Sequence, residues 1–533
     1  MSSAVKEMFR RNRPPGVTGR ADKYLPDIAQ DLRRLLQKTQ RDCAAASGGF
    51  SEDDLNELTT MLVEFGEDLH ADIGLWRSLE LYNQEFFRTP LPLVAAENGP
   101  WPPAGFDARR IQHLLWTLWM CLEPDNPPSP THPSLRRLAE VASGFLTERF
   151  APLPKDSGVK LFLAGPSQFG WEVKRKLVWL GTKSYLFRRL FANYVHDLGA
   201  GASVGVMDDF ICQECTAWSG LGAIDLLAGT LEVSAEDRAT LRLWYERHAA
   251  FYRALSRQDR GAETEFIIAR NLVNGQPYTI RMNMPDCPFQ PGLVVYGSLT
   301  PWRGEWYWSG EQRSYENVPE PEEANLRQEM LEHSCAIAYR YCPAEAAKAR
   351  ESNRRHYEEF VAHYGSDLVV HPDGLTLAAA EQKRLESLWR AAPLEEIHRV
   401  MQERGLKQTR PSMKFPREFL DHDQGIGAFY NPEEGQEFSP CFNLILSGLR
   451  KKGAGLSPEE RDALWRFVTA HAISPAFVHR LVRDHGAESF VETFHLRHLP
   501  TERALTFLLR CFKGHFYRNR YPSLALIGLD KKI

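Results

Sequence analysis

The chain has 533 residues, 43% hydrophobic and 25% charged, with 13 Trp, 29 Phe and a formal net charge of -4. That length exceeds what one hydrophobic core usually supports and predicts about three to four domains, whose cores the aromatic residues can fill. The slightly acidic balance excludes a protein that coats nucleic acid indiscriminately.

Nine cysteines, an odd number spread from Cys43 to Cys511, fit a reduced intracellular chain better than a disulfide framework. The N-terminal MSSAVKEMFRRNRPPG is basic but carries neither the apolar run nor the small-residue cleavage site of a signal peptide. No stretch reaches the length of uncharged apolar sequence that spans a bilayer, so the expected protein is soluble and cytoplasmic.

Residues 1–156 read as an N-terminal helical domain. Ser51 before Glu52-Asp53-Asp54 is an N-cap followed by acids in the first turn, and Leu55, Leu58, Leu62, Phe65 and Leu69 recur at helical spacing. Another helix carries Ile111, Leu114, Leu115, Leu118 and Leu122 and stops at EPDNPPSPTHP, whose prolines end it. Residues 157–260 form a second helical block. Its clearest segment, Trp171 to Val195, sets Leu177, Leu180, Phe187 and Phe191 beside six cations; further on, Ser234 stands three residues before Asp237 and starts a helix expected to run through Trp244 and Phe251.

Over 261–318 the pattern changes to a small β-sheet or barrel module. EFIIARNLVNGQPYTIRM places two β-rich runs around Asn274-Gly275, Pro291-Gly292 marks the next turn, and LVVYGSL and EWYW add two more strands. Residues 319–404 return to helix after an acidic start. Residues 405–440, with Pro411, Pro416, Pro432 and Pro440 and Gly425, Gly427 and Gly435, hold no sustained period and read as an exposed linker or loop. Residues 441–533 read as a C-terminal helical domain, where Ser457-Pro458-Glu459-Glu460 combines an N-cap Ser, Pro at the first helical position and Glu at the third. The expected fold class is mainly α and multi-domain, with a small inserted antiparallel β module.

No pattern for catalysis stands out. Cys212 and Cys215 have the spacing of half a zinc site, but no second pair follows at the usual distance, so two buried helix cysteines outweigh a zinc-dependent enzyme. Gly165 to Gly170 has the glycine spacing of a phosphate loop, yet Trp171 stands where the phosphate-gripping Lys belongs. Leu420 to Gly425 lacks calcium ligands in register. A nucleophile elbow and a HExxH helix are also missing. The sequence therefore predicts no catalytic residue, no metal and no cofactor.

Two surfaces are candidates for binding a macromolecule. One is the basic helix with Lys174, Arg175, Lys176, Arg188 and Arg189; the other is the β module with Trp302, Trp306 and Trp308, whose rings could stack on bases. In EWYW, side-chain alternation puts Trp306 and Trp308 on one face and Tyr307 on the other. The plainer readings are an amphipathic helix with one solvated face and a tryptophan-filled module core.

Around Thr409-Arg410-Pro411-Ser412-Met413-Lys414-Phe415-Pro416, two prolines forbid helix and hold the chain extended, the form in which proteases bind substrates. A single cut there is expected to split the chain into two fragments that each stay folded, with an ordinary interdomain loop as the plain alternative.

Two resemblances add to this reading. The stretches DLHADIGLWRSLELYNQEFF, IQHLLWTLWMCLEP and FGWEVKRKLVWLGTKSYLFRR resemble a family of uncharacterised gut-bacterial proteins, which implies kinship of fold and no function. Met413-Lys414, late in a chain of this length, resembles the cleavage point of the protease-substrate protein of type III-E CRISPR systems. In those systems an RNA-guided effector activates a caspase-like TPR-CHAT protease that cuts the substrate once. The resemblance implies a non-enzymatic regulator of antiviral defence, cut after Met413 and before Lys414, that binds an extracytoplasmic-function sigma factor. Other defence proteins are further candidate partners and a membrane is not one. Nucleic-acid binding through the β module and basic helix is the alternative.

Overall fold

Local signals set the helix starts. Ser51 Oγ accepts the Asp54 N–H at 3.2 Å. Ser457 Oγ accepts the Glu460 N–H at 3.2 Å while Glu460 Oε2 accepts the Ser457 N–H at 2.8 Å, so two of the donors that a helix start leaves without an intrahelical partner are satisfied. The computed structural model describes residues 3–43, 50–94, 101–122, 128–199, 201–213, 218–259, 265–282, 289–395, 397–398, 413–518, 520–522 and 525–526. The fold is mainly α with an inserted β module, and no helix among the described residues is long and apolar enough to cross a membrane.

The chain divides into two compact units, and neither is one continuous stretch. Met1–Pro343 joins with His498–Arg518 in the first, and Ala344–Arg497 with Asn519–Ile533 in the second. The first unit begins with helices α1 (Ser3–Asn12), α2 (Leu25–Cys43), α3 (Glu52–Ala71), α4 (Leu75–Phe87), α5 (Ala108–Leu122), α6 (Pro133–Phe150), α7 (Gly158–Ala164), α8 (Gly170–Lys183), α9 (Arg188–Asp197), α10 (Val204–Gln213), α11 (Ala223–Thr230) and α12 (Ala235–Arg242). On α3 the periodic Leu55, Leu58, Leu62 and Phe65 are all buried. Asp68, near its end, accepts the N–H groups of Gly74, Leu75 and Trp76 at 2.9, 3.1 and 2.7 Å and the Tyr185 hydroxyl at 2.8 Å. Those bonds fix where α4 begins.

A closed five-stranded barrel follows: β1 (His248–Asp259), β2 (Glu265–Asn271), β3 (Pro277–Arg281), β4 (Val294–Trp302) and β5 (Glu305–Tyr315), in the order β1-β2-β3-β5-β4. The helix expected through Trp244 and Phe251 continues past Arg242 only as a 3-10 turn over Leu243–Glu246, which holds Trp244, and His248–Asp259, with Phe251, is a strand. Its Ala250, Tyr252 and Ala254 point into the barrel core, and pairing with both β2 and β4 closes the cylinder. Pairing with distant partners overrides a weak local preference. The β4–β5 turn needs positive φ at two positions, and Arg303 at 48° and Gly304 at 81° supply it. Helices α13 (Glu320–His333) and α14 (Cys335–Ala338) complete this run.

In the second unit, α15 (Pro343–Tyr364) leads to β6 (Leu368–His371) and α16 (Gly374–Ala391). The exposed linker expected over 405–440 gives way, from Ile426 on, to two strands, β7 (Ile426–Asn431) and β8 (Gly435–Ser439), buried throughout. They form the middle of a sheet ordered β6-β7-β8-β9, where β9 is Ala525–Leu526. Strands covered on both faces show no apolar–polar alternation, so their sequence gives no period to read. The described residues of 319–398 are mainly helical, as expected, with the strand β6 between α15 and α16. Helices Phe442–Arg450, Pro458–Thr469, Pro475–His485 and Glu488–Thr493 pack in the same unit, whereas Thr501–Lys513, expected with them in a C-terminal domain, belongs to the first unit. There Phe507 sits 5.7 Å from the Phe87 ring and 6.4 Å from both His113 and Trp116.

Candidate functional site

The Met413–Lys414 bond lies outside any helix or strand, with Met413 half-buried and Lys414 exposed. Two anchors hold it. On the N-terminal side the Met413 N–H points at Gln382 Oε1 of α16, 3.4 Å away. On the C-terminal side Phe415 stacks on Phe419 at 5.4 Å and meets Phe438 of β8 edge-on at 5.7 Å. Phe419 and Phe438 are fully buried in the core of this unit. Pro416, in extended backbone, precedes the short helix Arg417–Leu420, as a residue that cannot continue a helix backwards must. The result is an anchored strip in which Lys414 is exposed. Residues 401–412, including Pro411, lie outside the described residues.

The basic segment Trp171–Val195, expected as one helix, breaks between Lys183 and Arg188 into α8 and α9, and most of its cations are not solvated. Lys174 is ion-paired with Asp208 and donates to Ser309 Oγ at 2.9 Å. Lys176 is buried, and its Nζ donates to Gly165 O at 2.6 Å and Ser167 Oγ at 2.7 Å. Burial brings this ammonium down to about 8. The cation thus fills the glycine loop that resembled a phosphate site. Arg188 is buried against Glu64, and Arg189 pairs with Glu57 at 3.1 Å. Only Arg175 of the five is exposed, and it bonds Pro15 O at 2.9 Å and lies over the Phe162 ring. Buried cations are kept by partners on other elements: Lys174 of α8 has an acid on α10, and Arg188 and Arg189 of α9 have acids on α3.

Asp208 of α10 is the main such acid and sequence reading passed over it. Besides Lys174, it takes Arg247 Nη1 at 2.5 Å and the Ser309 hydroxyl at 2.8 Å. Burial pushes its pKa up, but the charges of Lys174 and Arg247 and the hydrogen bonds outweigh that and hold it at about 2. One carboxylate therefore ties α8, α10, β5 and the residue preceding β1.

The tryptophans build the barrel rather than decorate it. Trp302 is fully buried and donates Nε1–H to Ser167 O at 3.1 Å. Trp306 and Trp308 pack on the barrel core, Trp306 against His248 and Tyr278 at 4.8 and 4.7 Å and Trp308 edge-on to Tyr252 at 5.6 Å. Tyr307, on the opposite face as alternation requires, meets Trp171 at 5.3 Å. The stacking platform expected here is thus a set of buried or half-buried rings already in contact with protein.

Cys212 is buried, and burial raises its thiol to about 12. Cys215 lies outside the described residues. Among the described residues no group of three or more His, Cys, Asp or Glu side chains is placed to hold a metal ion. In the segment once compared with a calcium loop, His422 Nε2 accepts the Cys441 N–H at 2.7 Å, closing a turn.

No protein-family model matches the chain, and no curated protein or solved structure is similar to it at a significant level.

Proposed function

We propose that this chain is a non-enzymatic regulatory protein of prokaryotic antiviral defence, severed once between Met413 and Lys414 by a caspase-like TPR-CHAT protease and controlling a bound partner such as an extracytoplasmic-function sigma factor. The observation that carries the reading is the exposed Lys414 beside a Met413 free of helix and strand, in a strip anchored by Phe415. A protease must draw its substrate into an extended form, which is cheap here and costly inside a packed element. Severing would alter the partner's affinity by changing how rigidly the contacts on the two sides of the bond are held together. Incubation with the activated protease should yield one pair of products, the smaller beginning at Lys414. An intact chain, or a first new N-terminus elsewhere, refutes the assignment.

A second reading, binding of single-stranded nucleic acid, draws on the closed five-stranded barrel, because five-stranded barrels are one architecture that binds oligonucleotides. It is the weaker one, because Trp302 is buried and Arg253 of β1 and Arg270 of β2 already share Glu323. It predicts affinity for an oligonucleotide that falls steeply with salt.

A further inference from the structure

Both compact units are assembled from chain on the two sides of Met413–Lys414. The first consists of residues before the bond plus His498–Arg518, and the second has Ala344 onward before the bond and Lys414–Arg497 after it. We infer that the protein severed at this bond remains a single non-covalent particle, so that severance acts by loosening the second unit and not by releasing a free C-terminal fragment. This deepens the protease-substrate reading and rests on it for the position of the cut.

The second unit supplies the first set of bonds across the break. Strand β6, before it, pairs with β7, after it, over Leu368↔Phe429, Val369↔Ala428, Val370↔Gly427 and His371↔Ile426. The ladder is flanked by Gly374 N to His422 O at 2.9 Å and Gly425 N to Pro372 O at 3.1 Å. Asp367 pairs with Arg480 at 2.8 Å, and the buried Arg384 reaches Gln436 at 3.2 Å. Apolar packing runs across as well, since Phe360 and Leu377 share one buried core with Phe419, Ile426 and Phe438. Without β7 the strand β6 would have no partner among the described residues and its backbone groups would lose their bonds.

The first unit supplies a second, independent set. Helix Thr501–Lys513 buries Leu505, Phe507, Leu508 and Leu509, with Phe507 against Phe87, His113 and Trp116. His498 Nε2 lies 2.9 Å from Leu93 O, and Arg510 lies 3.8 Å over the Phe86 ring and bonds Tyr82 Oη at 3.2 Å. Two attachments on one fragment reinforce each other, because while one opens the other keeps the local concentration high.

The cut itself is a hydrolysis. One water is consumed, the Met413–Lys414 C–N bond breaks, a carboxylate forms on Met413 and an ammonium on Lys414. What is lost is the covalent closure between α16 and helix Arg417–Leu420. Opening of the second unit then no longer has to carry the connecting chain with it.

The test replaces the natural scissile sequence at Met413–Lys414 with the recognition sequence of an unrelated site-specific protease, in the full chain tagged at the N-terminus only. After complete cutting, both fragments should elute together at the position of the uncut protein and the tag should retain the untagged fragment. Amide exchange should rise in β6 and β7 while that of α3 stays unchanged. Separate elution of the fragments in native buffer, with the N-terminal fragment still folded by circular dichroism, overturns the inference. Co-expression of residues 1–413 with 414–533 repeats the test without any protease, and failure of the tagged piece to capture the other also overturns it. Neither result depends on whether the caspase-like enzyme cuts the natural sequence, so the two proposals fail separately.

Discussion

Leu368 and Phe429 stand opposite each other at one end of the β6–β7 ladder, 61 residues apart in sequence, with Met413–Lys414 between them. Phe429 is buried and stacks on Phe477 at 4.7 Å. Phe429→Ala removes that ring from a closed site and should cost about 3–5 kcal/mol of stability. A urea titration of the intact chain should show the loss in the transition assigned to the second unit. A change below about 1 kcal/mol would mean that the ladder is not a main support of that unit.

Asp208→Asn leaves Lys174 and Arg247 without their shared carboxylate, and removing one partner of a buried ion cluster typically costs about 3–5 kcal/mol. The acid stability of the wild-type protein should depend on the same group. Its folded value of about 2 lies below an unfolded value near ~3.9. The stabilisation is thus present above the unfolded value and is lost as pH falls from about 4 towards 2. Denaturation curves at stepped pH should show wild type and variant converging over that interval.

Gly374 starts α16, and a Cβ added there would lie 2.0 Å from Phe419 O and 2.8 Å from Leu420 Cα. Backbone cannot yield as a side chain does, so Gly374→Ala should destabilise by about 1–3 kcal/mol. Gly144 is the contrast: it lies exposed within α6 with open space around its Cα. Gly144→Ala should raise stability by about 0.5–1 kcal/mol through helix propensity and a less disordered unfolded chain. The melting temperatures of the two variants should move in opposite directions.

Ser457→Ala removes the hydroxyl that accepts the Glu460 N–H, leaves the backbone N–H bond to Glu460 Oε2 in place, and should cost about 1 kcal/mol. Ser457→Asp should restore most of it, because the carboxylate can accept the same N–H. Equal losses in both variants would place the effect elsewhere than in the cap.

Some of this was legible beforehand for a definite reason. The caps at Ser51 and Ser457 and the alternation of Trp306, Tyr307 and Trp308 depend on atoms within about four residues, so composition and spacing carry them. That Met413–Pro416 lies outside helix and strand follows from Pro416, which the preceding residues cannot join in a helix. The basic helix misled because a row of cations looks the same whether water or buried carboxylates neutralise it. Lys174 finds Asp208 34 residues on, and Arg188 finds Glu64 124 residues back.

The sequence alone determined where helices such as those at Ser51 and Ser457 begin, that a β module interrupts them, and that Met413–Pro416 is not helical, because each is set by neighbouring residues acting on one stretch of backbone. Only the tertiary structure decided that His248–Asp259 is a strand, that Ile426–Ser439 lies in the middle of a sheet, and that the chain returns to its first unit at His498. Strand pairing, charge neutralisation and the sharing of a core are settled by partners far away along the chain, and no local pattern names the partner.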